Sequence, residues 1–497
     1  MVDAPPPTRA RRSHRSWAQR LVLVAGAAAI LAGVTGAAAA AYFGLRLSQI
    51  DRVDDISVAG ARSGEPANYL LVGTDSREGL DPDLSGFSDD GQSGCDCTDT
   101  IMVLRVDPQE QSAQILSFPR DLWIPISGQG TARINSAHAH GEQTLIDTIE
   151  ENFGVPIHHY VEIDFVGFEK LVDAVGGIPL WFDAPVRDTH TGLSIPEPAC
   201  QVLDGEQARK FVRSRYLQYQ DEDGDWRTDP SADLGRITRQ QIFIRRAVSK
   251  AVSKGLSNPV TLNELVSAGV DNVRLDEHLD ASDLLALGRR FASFDSKQLV
   301  GYSIPSDPHT TSAGAQVEIP SMREAEPILN IFRGLPPGTI SPQSVDVTVL
   351  NGTDVDGQAA DAAGALAQIG FVIEEVATYA SGPVARTTVA YGDGAEAAAR
   401  RLARHVTGGA ALVHDSEVDD GEVVLITGAD FTTVHDQPAP EGSPDDLAIT
   451  TSTTAPATVD SSDSLITPST VPPSTSTTAP EPVGYGTGEP PAGVSCG

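Results

Sequence analysis

The chain has 497 residues and a formal net charge of −33, with 68 acidic side chains against 35 lysines and arginines. This length exceeds one ordinary hydrophobic core and predicts two or three domains. The acidic balance argues against a polyanionic partner such as nucleic acid and against docking on an anionic lipid surface.

The N-terminal segment departs from this balance, because residues 1–20 carry five arginines and one acid, Asp3. Residues 21–45 contain no charged side chain and are about long enough to cross a bilayer. Basic residues before a span stay in the cytoplasm, so we expect 1–20 to be cytoplasmic, 21–45 to be a transmembrane helix and the rest to be extracellular. A cleaved signal peptide is the alternative. Both interpretations export the protein.

Four cysteines, Cys95, Cys97, Cys200 and Cys496, fit an exported protein, in which disulfides persist. Cys95 and Cys97 lie too close together for an easy mutual bridge, so we expect one of them to pair with Cys200. Cys496 is then left over, and is either free or forms an intermolecular link.

A polar linker, 46–66, precedes a segment in which apolar strands and amphipathic helices alternate. This alternation predicts an α/β or layered α/β/α domain over residues 67–308. Asp75, Asp99 and Arg120 fall at the ends of its first strands, where layered α/β domains bind ligands. Asp75 and Asp99 could there hold Mg²⁺. The alternative is ordinary turn chemistry, in which aspartate is common.

The pattern between Asn135 and Phe153 predicts a helix that contains His138 and His140. No third ligand at zinc spacing accompanies them. We therefore interpret both as rim or surface histidines.

The stretch 211–244 gathers arginines around an acidic loop. These arginines are Arg213, Arg215, Arg236 and Arg239. On a helix, Arg236, Arg239 and Gln240 share one face, and Asp233 stands where an N-cap belongs. Guanidinium groups on one face repel unless an anion binds them, so the pattern predicts a phosphate or pyrophosphate site. The alternative is solvated surface arginines beside carboxylate neighbours.

The C-terminal part of the chain divides by composition. Residues 309–344 are rich in Pro, Ser and Thr and predict a linker. Residues 345–428 again alternate strand and helix, which predicts a second, smaller α/β domain that binds the cell wall or a partner. Residues 429–497 contain no Lys or Arg and predict a disordered tail.

Seven motifs in this order resemble the LytR-CpsA-Psr family of cell-wall glycopolymer ligases, over residues 68 to about 255. They are LLVGTDSR, TDTIMVLRVDP, ILSFPRDLWIPI, ARINSAHAHGE, HHYVEIDFVGFEKLVDAVGGIPL, LDGEQARKFVRSR and ADLGRITRQQ. Residues 345–428 resemble the LytR C-terminal domain of the family. The insert between Arg215 and Asp233 looks like the actinobacterial branch.

The resemblance implies a membrane-anchored, Mg²⁺-dependent phosphotransferase. Such an enzyme moves a phosphoglycan, here expected to be arabinogalactan, from a polyprenyl-pyrophosphate carrier to a peptidoglycan hydroxyl. A polyprenyl-pyrophosphate phosphatase and a non-enzymatic regulator of the cell envelope are the alternatives.

The resemblance also assigns roles to single residues. Asp75 and Asp99 would hold the metal, and Asp233 would support the arginines or accept a proton. Arg133 stands where the family often has lysine, so its role is open. The pyrophosphate ligands implied are Arg77, Arg120, Arg213, Arg215 and Arg236, with Arg239 and Gln240 as further candidates. The catalytic residues implied are Arg120, Asp233 and Arg236.

Overall fold

A computed structural model describes residues 41–42, 44–62, 64–74, 98–251, 259–280, 283, 286–287, 299–440, 450–453, 490, 494 and 496. Most of the predicted transmembrane segment, as well as Asp75, Arg77, Cys95 and Cys97, lies outside these described residues. Within the described ranges, no helix combines the length and the apolar character that crossing a bilayer requires.

The first domain contains seventeen strands and six α-helices among its described residues. The strands are β1 Asp51–Val53, β2 Ala67–Thr74, β3 Thr98–Asp107, β4 Ser112–Ser117, β5 Trp123–Ile126, β6 Gly130–Arg133, β7 His159–Asp164, β8 Ile178–Trp181, β9 Val186–Asp188, β10 Leu193–Ile195, β11 Cys200–Leu203, β12 Gln218–Gln220, β13 Trp226–Thr228, β14 Val273–Asp276, β15 Leu299–Ser303, β16 Ser306–Thr310 and β17 Gln316–Pro320. The helices are α1 Glu142–Phe153, α2 Phe165–Ala174, α3 Gly205–Arg213, α4 Ala232–Lys250, α5 Pro259–Asn272 and α6 Met322–Arg333, and two short 3-10 turns, Ile134–Ser136 and His138–His140, precede α1.

A mixed seven-stranded sheet in the order β1-β14-β7-β2-β3-β4-β15 forms the centre of this domain. Adjacent residues of one strand point to opposite faces of the sheet. In β2 such neighbours are both apolar, so apolar side chains lie on both faces. Leu70 of β2 packs with Leu145 of α1 and Leu329 of α6 on one face. Leu71 packs with Met102 and with Ile244 of α4 on the other face. Helices therefore cover both sides of the sheet, which is the layered α/β/α arrangement expected.

The predicted linker 309–344 is folded, so its interpretation as a linker is wrong. β16 and β17 form an antiparallel hairpin, and α6 buries Ala325, Leu329 and Phe332 in the core of the first domain. The nitrogen Nη2 of Arg333 donates a hydrogen bond to the carbonyl oxygen of Phe153 at 2.6 Å. The Pro-, Ser- and Thr-rich composition belongs to a paired hairpin and to the turn after α6.

The elements of the second domain are β18 Asp346–Asn351, α7 Gln358–Ile369, β19 Val372–Thr378, β20 Thr388–Tyr391, α8 Glu396–Ala403, β21 Ala411–His414, β22 Val423–Thr427 and β23 Thr450–Thr453. The strands form a separate six-stranded sheet in the order β19-β18-β22-β20-β21-β23. This domain has its own core, to which α7 and α8 contribute buried residues.

Two expectations about the C-terminal tail are wrong. Residues 429–440 extend the second domain, because the amide of His435 donates to the carbonyl oxygen of His405 at 2.6 Å and Val434 pairs with Val406. Cys496 is not left over, because it forms a disulfide with Cys200, with their Cα atoms 5.5 Å apart. Cys200 is thus taken by a partner 296 residues away in sequence.

Candidate functional site

Asp99 lies at a β-bulge near the start of β3. Gly73 pairs with Thr100 and Thr74 pairs with Thr98, so Asp99 has no residue opposite to it in β2. A bulge bends a strand and re-aims the side chain of the extra residue. A Cβ atom at position 73 would lie 3.0 Å from the Cβ of Thr100, so this close approach favours glycine. The atom Oδ1 of Asp99 lies 2.6 Å from Nη1 of Arg120.

Two arginines flank Asp121, which follows β4. The nitrogen Nε of Arg120 lies 3.5 Å from one carboxylate oxygen of Asp121, and Nε of Arg133 lies 3.1 Å from the other. Arg133 ends β6, and its Nη2 donates to the carbonyl oxygen of Gln316 in β17 at 2.7 Å. The loop after β4 and the β16–β17 hairpin therefore meet beside Arg120.

Helix α4 brings the remaining charges. Its N-cap is Ser231 rather than Asp233, which lies in the first helical turn. Nε of Arg215 lies 3.1 Å and Nη2 of Arg236 lies 3.2 Å from Oδ1 of Asp233. Nη1 of Arg236 lies 3.9 Å from Asp99. We call the resulting group the charge cluster. Its members are Asp99, Arg120, Asp121, Arg133, Arg215, Asp233 and Arg236.

The charge cluster contains buried donors with unmet hydrogen bonds. The nitrogens Nε of Arg120, Nε of Arg236 and Nη2 of Arg215 are buried and have no hydrogen-bond acceptor among the described residues. A buried donor without an acceptor costs about 1–3 kcal/mol, and more when it is charged. An anion with several oxygen atoms can accept from all three groups at once, and guanidinium forks suit phosphate oxygens.

The pKa shifts in the charge cluster also indicate a site for an anion. Burial, followed by the neighbouring charges of Arg236 and Arg120, lowers the pKa of Arg215 to about 10. Burial opposes ionisation of Asp99, but Arg236, Arg120 and Arg215 outweigh burial and keep the pKa of Asp99 below its ordinary value. The charge cluster contains four arginines and three carboxylates, an excess of one positive charge within a strongly acidic chain.

Three sequence-predicted residues have other contacts in the structure. Nη1 of Arg239 donates to Asp229 at 2.9 Å, and Nη2 donates to the carbonyl oxygen of Ser214 at 2.7 Å. Nε2 of Gln240 donates to Oγ1 of Thr100 at 3.1 Å and to the carbonyl oxygen of Val212. The guanidinium of Arg213 stacks over the ring of Phe165 at 4.5 Å. Arg239 and Gln240 therefore brace the elements that carry the cluster.

The sequence interpretation missed one acidic residue beside the cluster, Glu318 of β17. Its amide donates to the carbonyl oxygen of Asp121 at 3.0 Å, and Oγ of Ser306 donates to its carboxylate at 3.2 Å. Assigning residues 309–344 to a linker hid this position. The short alternation in QVEIP was the available signal.

Asp99 also suits one position of a magnesium site. The closest approaches of Arg120 and Arg236 are both to Oδ1, so Oδ2 lies farther from both guanidinium groups. Carboxylate oxygens are the ligands that Mg²⁺ takes in proteins. Asp75, the second ligand implied by the resemblance, lies outside the described residues.

The interpretation of His138 as a rim or surface residue is wrong, whereas His140 is exposed. His138 is buried, and its Nε2 lies 3.3 Å from Glu162, which also accepts from the hydroxyl of Tyr160 at 2.7 Å. His138, Glu142 and Glu162 hold potential metal-ligand atoms within 4.8 Å of one another. Nη1 of Arg274 lies 3.0 Å from both glutamates and already supplies a cation there.

Comparisons with known proteins match both domains. A protein-family model described as the LytR_cpsA_psr family matches residues 35–332. A second model, described as LytR cell envelope-related transcriptional attenuator, matches residues 344–431. The first match extends through the hairpin and α6, in agreement with the fold of the first domain.

Curated relatives share parts of the chain. The probable cell wall biosynthesis protein LcpB of Corynebacterium glutamicum is 35% identical over 233 residues, which are 46% of this chain and 53% of LcpB. The chain therefore spans about half the length of that relative. The cell wall biosynthesis protein LcpA of the same organism is 28% identical over 442 residues, 78% of this chain and 83% of LcpA. The polyisoprenyl-teichoic acid–peptidoglycan teichoic acid transferase TagU of Enterococcus faecalis is 32% identical over 247 residues, 49% of this chain and 73% of TagU.

Proposed function

Since the chain belongs to the LytR_cpsA_psr family, we propose that it is a phosphotransferase that attaches a cell-wall glycopolymer to peptidoglycan. Its donor is a glycan linked to a polyprenyl pyrophosphate, and its acceptor is a peptidoglycan hydroxyl. The observation that carries this proposal is the set of buried guanidinium donors in the charge cluster that have no acceptor among the residues that the structure describes. A pyrophosphate supplies the oxygen atoms that these donors lack.

In this proposal the arginines act on the two phosphates of the donor. Arg215 and Arg236 bind phosphate oxygens from α4 and the preceding loop, and Arg120 binds from the end of β4. Phosphoryl transfer depends mostly on positioning and on stabilising charge, so fixed guanidinium groups suit the reaction. Asp99 and Asp233 keep these groups in place through the ion pairs described above.

Asp99, together with Asp75, is the proposed holder of Mg²⁺. When bound, the metal offsets the negative charge that grows on the leaving polyprenyl phosphate. Breaking the anhydride bond drives the transfer, so no nucleotide is required outside the cell.

The names of the relatives support the kinds of partner. TagU is named for a polyisoprenyl-linked teichoic acid and for peptidoglycan, and LcpA and LcpB are named for cell wall biosynthesis. For this chain we propose arabinogalactan as the polymer. We also propose that residues 21–45 anchor the chain as a single span, with the N-terminus cytoplasmic and the catalytic domain extracellular.

The proposal is tested with the full-length chain in detergent, a polyprenyl-pyrophosphate-linked glycan, Mg²⁺ and peptidoglycan fragments, with mass spectrometry of the products. Arg236→Ala should lower transfer by about 100-fold or more, because one stabilising donor at a reacting group is commonly worth that much. Arg227→Ala is the matched control. Arg227 lies in the insert that precedes α4, outside the charge cluster; its side chain is 59% exposed and pairs with Asp221.

Each outcome has a separate meaning. Transfer at the wild-type rate by Arg236→Ala contradicts the role given to the charge cluster. Release of phosphoglycan at the same rate with and without the acceptor identifies a phosphatase instead. A wild-type chain that turns over no donor supports a non-enzymatic regulator of the cell envelope.

A further inference from the structure

The proposed reaction requires a proton acceptor, and four carboxylates belong to the charge cluster or lie beside it. These are Asp99, Asp121, Asp233 and Glu318. The hydroxyl oxygen becomes a nucleophile as it loses its proton. The group that takes the proton therefore needs a carboxylate that is not held in an ion pair. The inference below rests on the proposed function.

Three of the four carboxylates are held by arginines. Asp99 lies 2.6 Å from Arg120, Asp121 lies 3.1 Å from Arg133, and Asp233 lies 3.1 Å from Arg215. An ion pair stabilises the charged carboxylate and so weakens it as a base. This argument applies to Asp233 in particular, because Arg236 binds the same oxygen at 3.2 Å.

Glu318 differs from these three in its partners. Among the described residues, no lysine or arginine lies within ion-pair distance of its carboxylate, and the only side-chain hydrogen bond it accepts comes from Ser306. Its position is nevertheless fixed, because its amide binds the carbonyl oxygen of Asp121 and β17 pairs with β16 along five residues. Glu318 is therefore a half-buried, unpaired carboxylate mounted beside the charge cluster.

The charges around Glu318 favour its protonated form. Burial first, and then Asp121, Asp233 and Asp307, raise the pKa of Glu318, while the hydrogen bond from Ser306 opposes them. Arg120 and Arg133 form ion pairs with the side chain of Asp121 rather than with that of Glu318. A carboxylate with a raised pKa is a better base near neutral pH than one with a lowered pKa.

We propose that Glu318 is the general base that takes the proton of the peptidoglycan hydroxyl, and that the β16–β17 hairpin forms the acceptor side of the site. The hydroxyl oxygen forms a bond to the sugar-linked phosphorus, and its proton passes to the carboxylate of Glu318. The bond from that phosphorus to the anhydride oxygen breaks, and polyprenyl phosphate leaves with the electron pair. The proton returns to solvent from Glu318 after the product departs.

The test measures the rate of transfer against pH in the full-length chain. Glu318→Gln keeps the shape of the side chain and its hydrogen bond from Ser306 but cannot accept a proton. We expect it to lower transfer by about 100-fold or more at neutral pH, the usual contribution of a general base. The wild-type rate should fall as pH falls through the pKa of Glu318, and the variant should lack this acid limb.

Two further variants separate chemistry from structure. Compared with Glu318→Gln, Glu318→Asp should restore part of the transfer rate and the fall of that rate at acidic pH. Asp307→Asn removes one of the charges that raise the pKa of Glu318, so the fall in rate at acidic pH should move to lower pH while Glu318 still accepts the proton. Binding of geranylgeranyl diphosphate, measured by calorimetry, should be unchanged in Glu318→Gln, because the arginines that bind the donor remain.

The inference and the proposed function fail in different ways. If Glu318→Gln transfers at the wild-type rate, or more slowly with an unchanged acid limb, Glu318 is not the base and the phosphotransferase function stands. If the wild-type chain forms no transfer product, the proposed function fails and the role of Glu318 fails with it.

Discussion

Arg236 and Arg239 show how two similar residues on one helix face take different roles. Both are buried, and they are three positions apart on α4. Arg239 donates to Asp229 and to the carbonyl oxygen of Ser214, whereas Arg236 pairs with Asp233 and lies 3.9 Å from Asp99 in the charge cluster. The helical spacing of the sequence predicted that both arginines share one face. Their partners in the insert, after α3 and in β3 could not be predicted from that spacing.

A buried network around Glu162 makes a stability prediction. Burial opposes ionisation of Glu162, but His138, Tyr160 and Arg274 outweigh it and lower its pKa from 4.5 to about 2. A lowered pKa in the folded state means that the ionised group stabilises the fold above the unfolded pKa. This stabilisation is lost as pH falls from about 4.5 toward 2. Glu162→Gln should therefore lower the free energy of unfolding at pH 7 by about 3 kcal/mol.

Denaturant unfolding at several pH values checks this prediction. The difference between wild type and Glu162→Gln should narrow as the pH falls below about 4.5. Glu142→Gln is the matched control, because Glu142 shares Arg274 but is more exposed, and its loss should be smaller. An equal loss for Glu162→Gln at pH 7 and at pH 3 contradicts the assignment.

Helix α6 carries a prediction at the scale of secondary structure. Leu329 is fully buried against the central sheet, so Leu329→Ala should lower the free energy of unfolding by about 2–5 kcal/mol. Leu335→Ala, just beyond the helix and 41% exposed, should change it by less than about 0.5 kcal/mol. Thermal unfolding followed by circular dichroism compares the two. If both variants change the free energy of unfolding by similar amounts, α6 does not pack in the core and the interpretation of this segment as a linker is supported.

The elements found from the sequence are those with an apolar period. β2, β3, α1 and the early strands of the second domain were predicted because alternating or helical apolar spacing marks them. The β16–β17 hairpin was not predicted because Ser306–Thr310 has no apolar side chain except that of Pro308, and its structure depends on pairing with β17. Helix α6 escaped because Pro327, inside the helix, suggests a break. Because the hairpin was not predicted, Glu318 was also left out of the candidate site residues.

The two domains have separate hydrophobic cores and meet through polar contacts. Nη2 of Arg323 in α6 lies 2.8 Å from Asp346 in β18. Glu326 accepts from both the amide and the hydroxyl of Ser341, at 2.7 and 2.8 Å. The order of the two domains followed from composition, whereas their boundaries depended on such contacts and could not be derived from composition alone.

The disulfide between Cys200 and Cys496 is a prediction at the scale of the whole molecule. Peptide mapping of the chain under non-reducing conditions should recover these two residues in one linked peptide. Cys200→Ser should lower the free energy of unfolding by about 2–5 kcal/mol, as removal of a native disulfide does in small secreted domains. A peptide that links Cys200 to Cys95 or Cys97 would restore the pairing expected from the sequence. Spacing could not identify a partner 296 residues away.

This bond closes a covalent ring that includes the last strands of the first domain and all of the second. A protease that cuts the ring once cannot release a fragment, because the pieces stay joined through sulfur. A chain that has been cut once should migrate as one band on a non-reducing gel and as two bands after reduction. In the extracellular location that we propose, both domains would therefore remain joined after a first proteolytic cut.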